Sequence, residues 1–261
     1  MNYDRVLLTG AAGLLGTQLR QYLAPKVKVL RSTDIAPLLN PAPNEELFQA
    51  DLADTSKINE LVAGMDAIVH FGGLSKEGHF EDICRVNILG FYHLYEAARK
   101  ADVKRIIFAS SVHAVGFYEQ TEVIDSRDLT RPDSNYGVAK IFGEGMAQMY
   151  WDKHGLETVS IRIGSCEEKP SNRRHLLSWL SFADMLQLVD KSLTAPRVGH
   201  TIVFGSSNNA ASFWDNTYAK HLGYQPQDSA DDYRDEILEA DPQPDPDNVV
   251  MRFQGGIFVR P

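Results

Sequence analysis

A doubly wound α/β fold with a parallel sheet is the architecture this sequence predicts, on three observations. Short β-branched and leucine-rich runs alternate with segments of helical period through most of the chain. The first of these runs turns directly into a glycine-rich stretch that opens a helix. The runs Ala67-Ile-Val-His70 and Arg105-Ile-Ile-Phe-Ala109 lack polar alternation, as expected of strands covered on both faces. Strands joined through helices imply right-handed crossovers, and these crossovers build a parallel sheet.

Arg5-Val-Leu-Leu-Thr9 is the first predicted strand, and the periodic apolar segment Leu14 to Leu23 is the first helix. Val27 to Leu30 resumes a strand that ends at Asp34, after which Pro37, Pro41 and Pro43 mark a surface loop. Leu47 to Ala50 reads as a short third strand leading into Asp51, and the helix Thr55 to Ala63 delivers the chain to Ala67. Phe71-Gly72-Gly73 ends the fourth strand. A long helix follows from about Phe80 to Lys100, with Val86, Leu89, Leu94 and Ala97 near helical spacing. The strand from Arg105 ends at Ser110 and Ser111; Pro132 precedes a helix from Tyr136 to Trp151, and Glu157 to Arg162 is a further strand. Towards the end, Ser181 to Ser192 reads as helix, Thr201 to Phe204 as strand, and Asp241-Pro-Gln-Pro-Asp-Pro as an extended acidic surface segment. No repeat or low-complexity linker divides the chain, so one domain over 1–261 is expected, with a cofactor-binding core over about 1–165 and a smaller C-terminal portion over about 166–261.

With 35 acidic residues against 26 basic ones, the net charge of −9 repels phosphate backbones and anionic lipid, which argues against nucleic acid and membrane surfaces as partners. Cys84 and Cys166 stand far apart with no Cys-x-x-Cys or Cys/His ligand spacing, so neither a disulfide framework nor a metal site is expected. His70 and His79 lack a second ligand at metal spacing. No segment reads as a secretory leader or approaches the ~18 apolar residues of a membrane span, and a cytoplasmic location is expected.

Gly10, Gly13 and Gly16 form Gly-x-x-Gly-x-x-Gly where the first strand turns into the first helix. Glycine lets the backbone lie close to a pyrophosphate, while the helix N-terminus presents free amides and a partial positive charge. Three glycines in a turn can equally serve tight packing, and the strand before and helix after favour a dinucleotide. Asp34 stands about twenty residues beyond the glycines at the end of the second strand, where a carboxylate accepts from ribose hydroxyls and repels a 2′-phosphate. That favours NAD over NADP, although Arg31 nearby keeps the second open, and an ordinary loop aspartate is the alternative.

Tyr136 and Lys140 are four apart on a predicted helix and so share a face. A phenol has an ordinary pKa of about 10, so a general base near neutrality requires stabilising the phenolate by about 4 kcal/mol. A neighbouring ammonium and an oxidised nicotinamide supply positive charge for this, and Ser111 at a strand's carboxyl end can orient a substrate hydroxyl. A packed tyrosine beside a solvated lysine is the alternative, against which stands the order serine, tyrosine, lysine at elements that a switch-point crevice gathers.

Thr9-Gly10-Ala-Ala-Gly13-Leu-Leu-Gly16, Asp51-Leu52, Ala109-Ser-Ser111 and Tyr136-Gly-Val-Ala-Lys140 together resemble the extended short-chain dehydrogenase/reductase superfamily, over roughly residues 4 to 165. The resemblance implies a Rossmann-like fold with the cofactor on the glycine turn, Leu14 and Leu15 included. It also implies Asp51 and Leu52 beside the adenine, Phe71, Gly72 and Gly73 along the cofactor, Asn87 supporting a proton relay, and Ser111, Tyr136 and Lys140 as the catalytic triad. Leu23-Ala-Pro, Asn44-Glu-Glu, Tyr95-Glu-Ala-Ala-Arg99, Arg162-Ile-Gly-Ser-Cys166, Trp214-Asp-Asn216 and Arg252-Phe-Gln-Gly-Gly256 extend the likeness to the bacterial uronate dehydrogenase family over nearly the whole chain. It implies that Ser75, Ser111, His113, Ser165 and Arg174 hold a sugar acid; Cys166, next to Ser165, is expected to touch the nicotinamide. Val112 stands where that family's pattern has an asparagine, so a contact there comes from the backbone or is absent.

By its own chemistry the Arg174 guanidinium matches a carboxylate in two hydrogen bonds, with a solvated basic turn as the alternative for Arg173 and Arg174. His113 either donates to a substrate hydroxyl or fills a polar loop. Trp179, Phe213 and Trp214 read as packing or subunit-contact residues. The expected activity is NAD-dependent oxidation of a free hexuronic acid, glucuronate or galacturonate, at C1 to the aldaric acid lactone, by a homo-oligomer. A nucleotide-sugar epimerase or dehydratase and a non-catalytic NAD-binding regulator are the alternatives.

Overall fold

The computed structural model describes residues 3–241 and 248–260. Beyond Asp241, the expected acidic surface segment lies outside the described residues. In chain order, β1 (Arg5–Thr9), α1 (Leu14–Leu23), β2 (Val29–Asp34), β3 (Glu45–Gln49), α2 (Thr55–Val62) and β4 (Ala67–His70) come first. α3 (Phe80–Ile83) runs through a π-helical turn at Cys84–Leu89 into α4 (Gly90–Lys100), followed by β5 (Arg105–Ser111), the short β6 (Ile124–Asp125), α5 (Asn135–His154) and β7 (Glu157–Ile163). The remainder holds β8 (Ser165–Cys166), α6 (His175–Ser178), β9 (Trp179–Leu180), α7 (Phe182–Thr194), β10 (His200–Gly205), β11 (Trp214–Asp215), α8 (Arg234–Ala240) and α9 (Val249–Arg252).

Seven strands form one parallel sheet in the order β10-β7-β5-β4-β1-β2-β3. The winding reverses between β1 and β4, which opens a crevice at the carboxyl ends of those strands. Alternation along β1 divides the core: Val6 and Leu8 pack with Leu19 of α1 and Leu188 of α7, while Leu7 packs with Ile58 of α2, Leu94 of α4 and Ala147 of α5. Trp179, Phe213 and Trp214 are buried in smaller clusters under the C-terminal portion, as expected of packing residues.

Boundaries move where local hydrogen bonding decides them. A 3-10 turn at Ala24–Lys26, started by Pro25, delays β2 until Val29. α5 begins at Asn135 because Ser134 Oγ accepts from Gly137 N at 3.0 Å, and it ends where Gly155 takes a left-handed conformation. Arg173, read as solvated, is instead tied to the next segment: its backbone N–H donates to Asp241 Oδ2 at 2.9 Å and its Nε to Asp241 O at 2.7 Å.

Candidate active site

The crevice has a volume of about 670 Å³ and is lined by the glycine turn, the ends of β2, β4 and β5, and the first turn of α5. Gly10 adopts φ +74°, and a Cβ there would come within 2.5 Å of the Phe71 carbonyl carbon. At Gly16 a Cβ would sit 1.9 Å from the Gly10 oxygen. α1 has no side-chain N-cap, so its first amides remain available to an anion. A pyrophosphate fits this cradle. Gly13, Leu14 and Leu15 also line the crevice.

Asp34 lines the crevice, its carboxylate fixed by Ala12 N at 2.9 Å and Ala36 N at 3.0 Å. Arg31 does not compete with it. Its Nε donates to Glu46 at 2.8 Å and its Nη1 to the carbonyls of Glu60, Leu61 and Ala63 at 3.0 to 3.1 Å, away from the crevice. Asp51 is held below the usual carboxylate range by the Ala53 amide and the Arg85 guanidinium, against the opposing effect of burial. Leu52 is buried along the same edge of the crevice. Gly72 N donates to Thr9 Oγ1 at 3.0 Å, and that hydroxyl lies 2.7 Å from His70 Nδ1. Burial drives His70 down to about 3, so the ring is neutral and structural. Asn87, in the π-helical turn, binds both the N–H and the carbonyl of Leu74, at 2.8 and 2.9 Å. Its side chain thus fixes the turn after Gly73.

Ser111, Tyr136 and Lys140 meet at the inner end of the crevice. Lys140 Nζ donates to Ala109 O at 2.7 Å and lies 5.2 Å from the Tyr136 ring centre. Burial pushes the Tyr136 phenol up to about 12, partly offset by its hydrogen bond with Ser111. Burial also pulls the Lys140 ammonium down to about 8, partly offset by Glu144. The low phenol pKa expected from the lysine's proximity is therefore not a property of this protein chain alone, because desolvation is the largest influence on both groups.

Ser75 lies exposed on the rim, and His113 and Cys166 line the crevice. Arg174 and Ser165 stand behind this lining: Arg174 Nη1 donates to Ser165 Oγ at 2.8 Å and Nε to Gln254 O at 2.7 Å. Burial lowers Arg174 to about 10, which leaves it cationic at neutral pH. Among the described residues its Nη2 donates no hydrogen bond. The Val112 side chain packs with Val115, Ile124, Phe204 and Phe213, so it makes no contact in the crevice. Burial raises the Cys166 thiol, which excludes a thiolate nucleophile at neutral pH. Among the described residues no acidic, histidine and cysteine cluster can hold a metal, and no helix is long and apolar enough to cross a membrane.

Residues 6–181 match the NAD dependent epimerase/dehydratase family. A uronate dehydrogenase of Pseudomonas putida is 52% identical over 258 residues, covering 98% of this chain and 96% of its own. The chain belongs to the NAD-dependent epimerase/dehydratase family, among its uronate dehydrogenases. The uronate dehydrogenase of Agrobacterium tumefaciens superposes with a TM-score of 0.95 at 49% identity, over 98% of this chain and 96% of that one. A glucuronic acid dehydrogenase from Chromohalobacter salexigens gives 0.96 at 43% identity, over 98% and 97%. A mutant of the Agrobacterium enzyme is described in complex with NAD, the cofactor expected here from Asp34.

In this uronate dehydrogenase three further residues support the site. Glu77 accepts from Tyr136 N at 2.9 Å and from Asn135 Nδ2 at 2.8 Å, clasping the rim loop of Ser75 to the start of α5. Gln254 is buried and bonds Arg174, Trp214 and the carbonyls of Glu119 and Glu122. Asp133 lies under His113 at 2.7 Å. Only the Gly-Gly pair after Gln254 hinted at a close approach in the sequence; the other two supports connect segments too distant for spacing to reveal.

Proposed function

We propose that this protein oxidises the cyclic form of a free hexuronic acid, glucuronate or galacturonate, at C1 to the aldaric acid lactone. The carrying observation is that Ser111, Tyr136 and Lys140 open into the same crevice as the glycine turn, with a cationic guanidinium at Arg174 behind the sugar end. NAD, when bound, supplies a carbon that accepts hydride and a positive charge beside the phenol. Ser111 and Tyr136 share the anomeric hydroxyl. Tyr136 takes its proton, the C1–H bond electrons leave as hydride, and the C1–O bond becomes the lactone carbonyl. Lys140 keeps the phenolate ionised, and Arg174, with Ser165, holds the carboxylate; Ser75 and His113 bind other sugar hydroxyls.

Residues of about 1–165 carry the cofactor and those of about 166–261 the substrate and subunit contacts, in a cytoplasmic homo-oligomer. Light scattering on the purified protein tests the assembly. Absorbance of reduced nicotinamide with NAD and free uronates tests the reaction, because an epimerase returns its hydride and accumulates none. Wild-type protein should reduce NAD with free glucuronate or galacturonate, and Tyr136→Phe should lower kcat about 10²- to 10⁴-fold while NAD still binds. Near-normal turnover by that variant overturns the assignment.

A further inference from the structure

Asp133 is a fully enclosed acidic side chain beside the crevice, with no side-chain exposure. Its Oδ2 lies 2.7 Å from His113 Nδ1, and its Oδ1 accepts from Ser134 Oγ at 2.8 Å. Two glycines shape its slot: a Cβ on Gly116 would come within 1.8 Å of Oδ2, and one on Gly255 within 2.0 Å. The imidazole is restrained on its other sides. Phe258 stacks on it with ring centres 3.7 Å apart and planes at 25°, and the His113 backbone N–H donates to Ser111 Oγ at 3.2 Å. Nε2 is the ring nitrogen left without a partner among the described residues, and His113 lines the crevice.

A carboxylate only accepts hydrogen bonds, so in the neutral ring Nδ1 carries the proton and Nε2 is a bare lone pair. We propose that Asp133 is a positioning residue for sugar recognition: by holding the Nδ1–H tautomer of His113, it presents Nε2 to the crevice as an acceptor for a hydroxyl of the hexuronate. The inference rests on the reading of the crevice as a uronate site, and it differs from both sequence alternatives, in which His113 either donates to the hydroxyl or only fills a polar loop. An acceptor at this position welcomes a hydroxyl and repels a carboxylate oxygen, whereas the Arg174 guanidinium attracts the carboxylate. The two residues together therefore fix which end of the sugar acid lies at which end of the crevice.

Nitrogen-15 spectra of the histidine-labelled wild-type protein, at a pH where the ring is neutral, read the tautomer directly. The His113 signals are those lost in His113→Gln. Protonated Nδ1 with bare Nε2 is expected, and the opposite tautomer overturns the proposal. In kinetics, Asp133→Asn should raise the KM for glucuronate about three- to tenfold, the worth of one hydrogen bond between neutral groups. The KM for NAD should stay within about twofold, and in a His113→Gln background Asp133→Asn should change the uronate KM by less than about twofold. An unchanged uronate KM in Asp133→Asn, or an effect that persists undiminished in the double variant, overturns the proposal. If His113→Gln leaves the uronate KM unchanged while Tyr136→Phe abolishes turnover, this proposal falls and the uronate dehydrogenase reading stands. Full turnover by Tyr136→Phe removes that reading itself.

Discussion

At the residue scale, the Tyr136 and Lys140 pair sets the response to pH. Burial places the phenol at about 12 and the ammonium at about 8, so below pH 8 the pair carries two protons and between those values it carries one. The working state, phenolate with ammonium, is a one-proton state. kcat/KM should therefore rise with pH by up to about tenfold per unit and level off near pH 8. In Lys140→Met the phenol alone must lose a proton, so the rising limb should extend beyond pH 9 and the rate at pH 7 should fall at least about 100-fold. Initial rates between pH 6 and 10 check both statements, and a wild-type profile flat from 6 to 9 contradicts them. Such inversion of an expected pKa was not legible in the sequence. The four-residue spacing of Tyr136 and Lys140 fixes their proximity on α5, but desolvation depends on what the whole fold lays over them.

At the element scale, the β1, glycine turn and α1 unit was readable almost to the residue, because β-branched composition, glycine positions and helical period all agree there. The same unit carries a steric prediction. In Gly16→Ala the new methyl would lie 1.9 Å from the Gly10 oxygen, so the turn must open. The KM for NAD should rise at least about tenfold and the stability fall by about 1–3 kcal/mol, the usual cost of forcing a carbon into a closed contact. Thermal melts with and without NAD measure both, and an unchanged melt and KM would sink the claim. The π-helical turn at Cys84–Leu89 was hidden, since one extra residue in a turn hardly disturbs the apolar period of the long helix. It nevertheless brings Asn87 to Leu74 and so shapes the crevice wall.

Across the whole molecule, arginines buried at the sheet connect parts that sequence spacing cannot relate. Arg105 binds Glu157 and the carbonyls of Ser192, Leu193 and Ala195, tying β5 to the end of α7. Arg162 on β7 meets Glu144 on α5 through two hydrogen bonds of 2.8 and 2.9 Å, and Ser110 at the end of β5 donates to the same carboxylate at 2.7 Å. Glu144→Gln keeps the shape but leaves a buried cation uncompensated, so unfolding free energy should drop by about 3–5 kcal/mol. The same change should lower the Lys140 pKa further below its ordinary value, because Glu144 is the charge that opposes burial there. Denaturant titration and the kcat/KM profile read these effects separately; a loss below about 1 kcal/mol would show that the pair is not acting as a buried bridge. Arg31 leads to an engineering consequence. Three main-chain carbonyls and Glu46 lock its guanidinium away from the crevice, so a designer seeking to run this catalyst on phosphorylated coenzyme cannot recruit it. The new cation must be grafted at Ile35 or Ala36, where the rim already meets solvent, and Asp34 must give way in the same step.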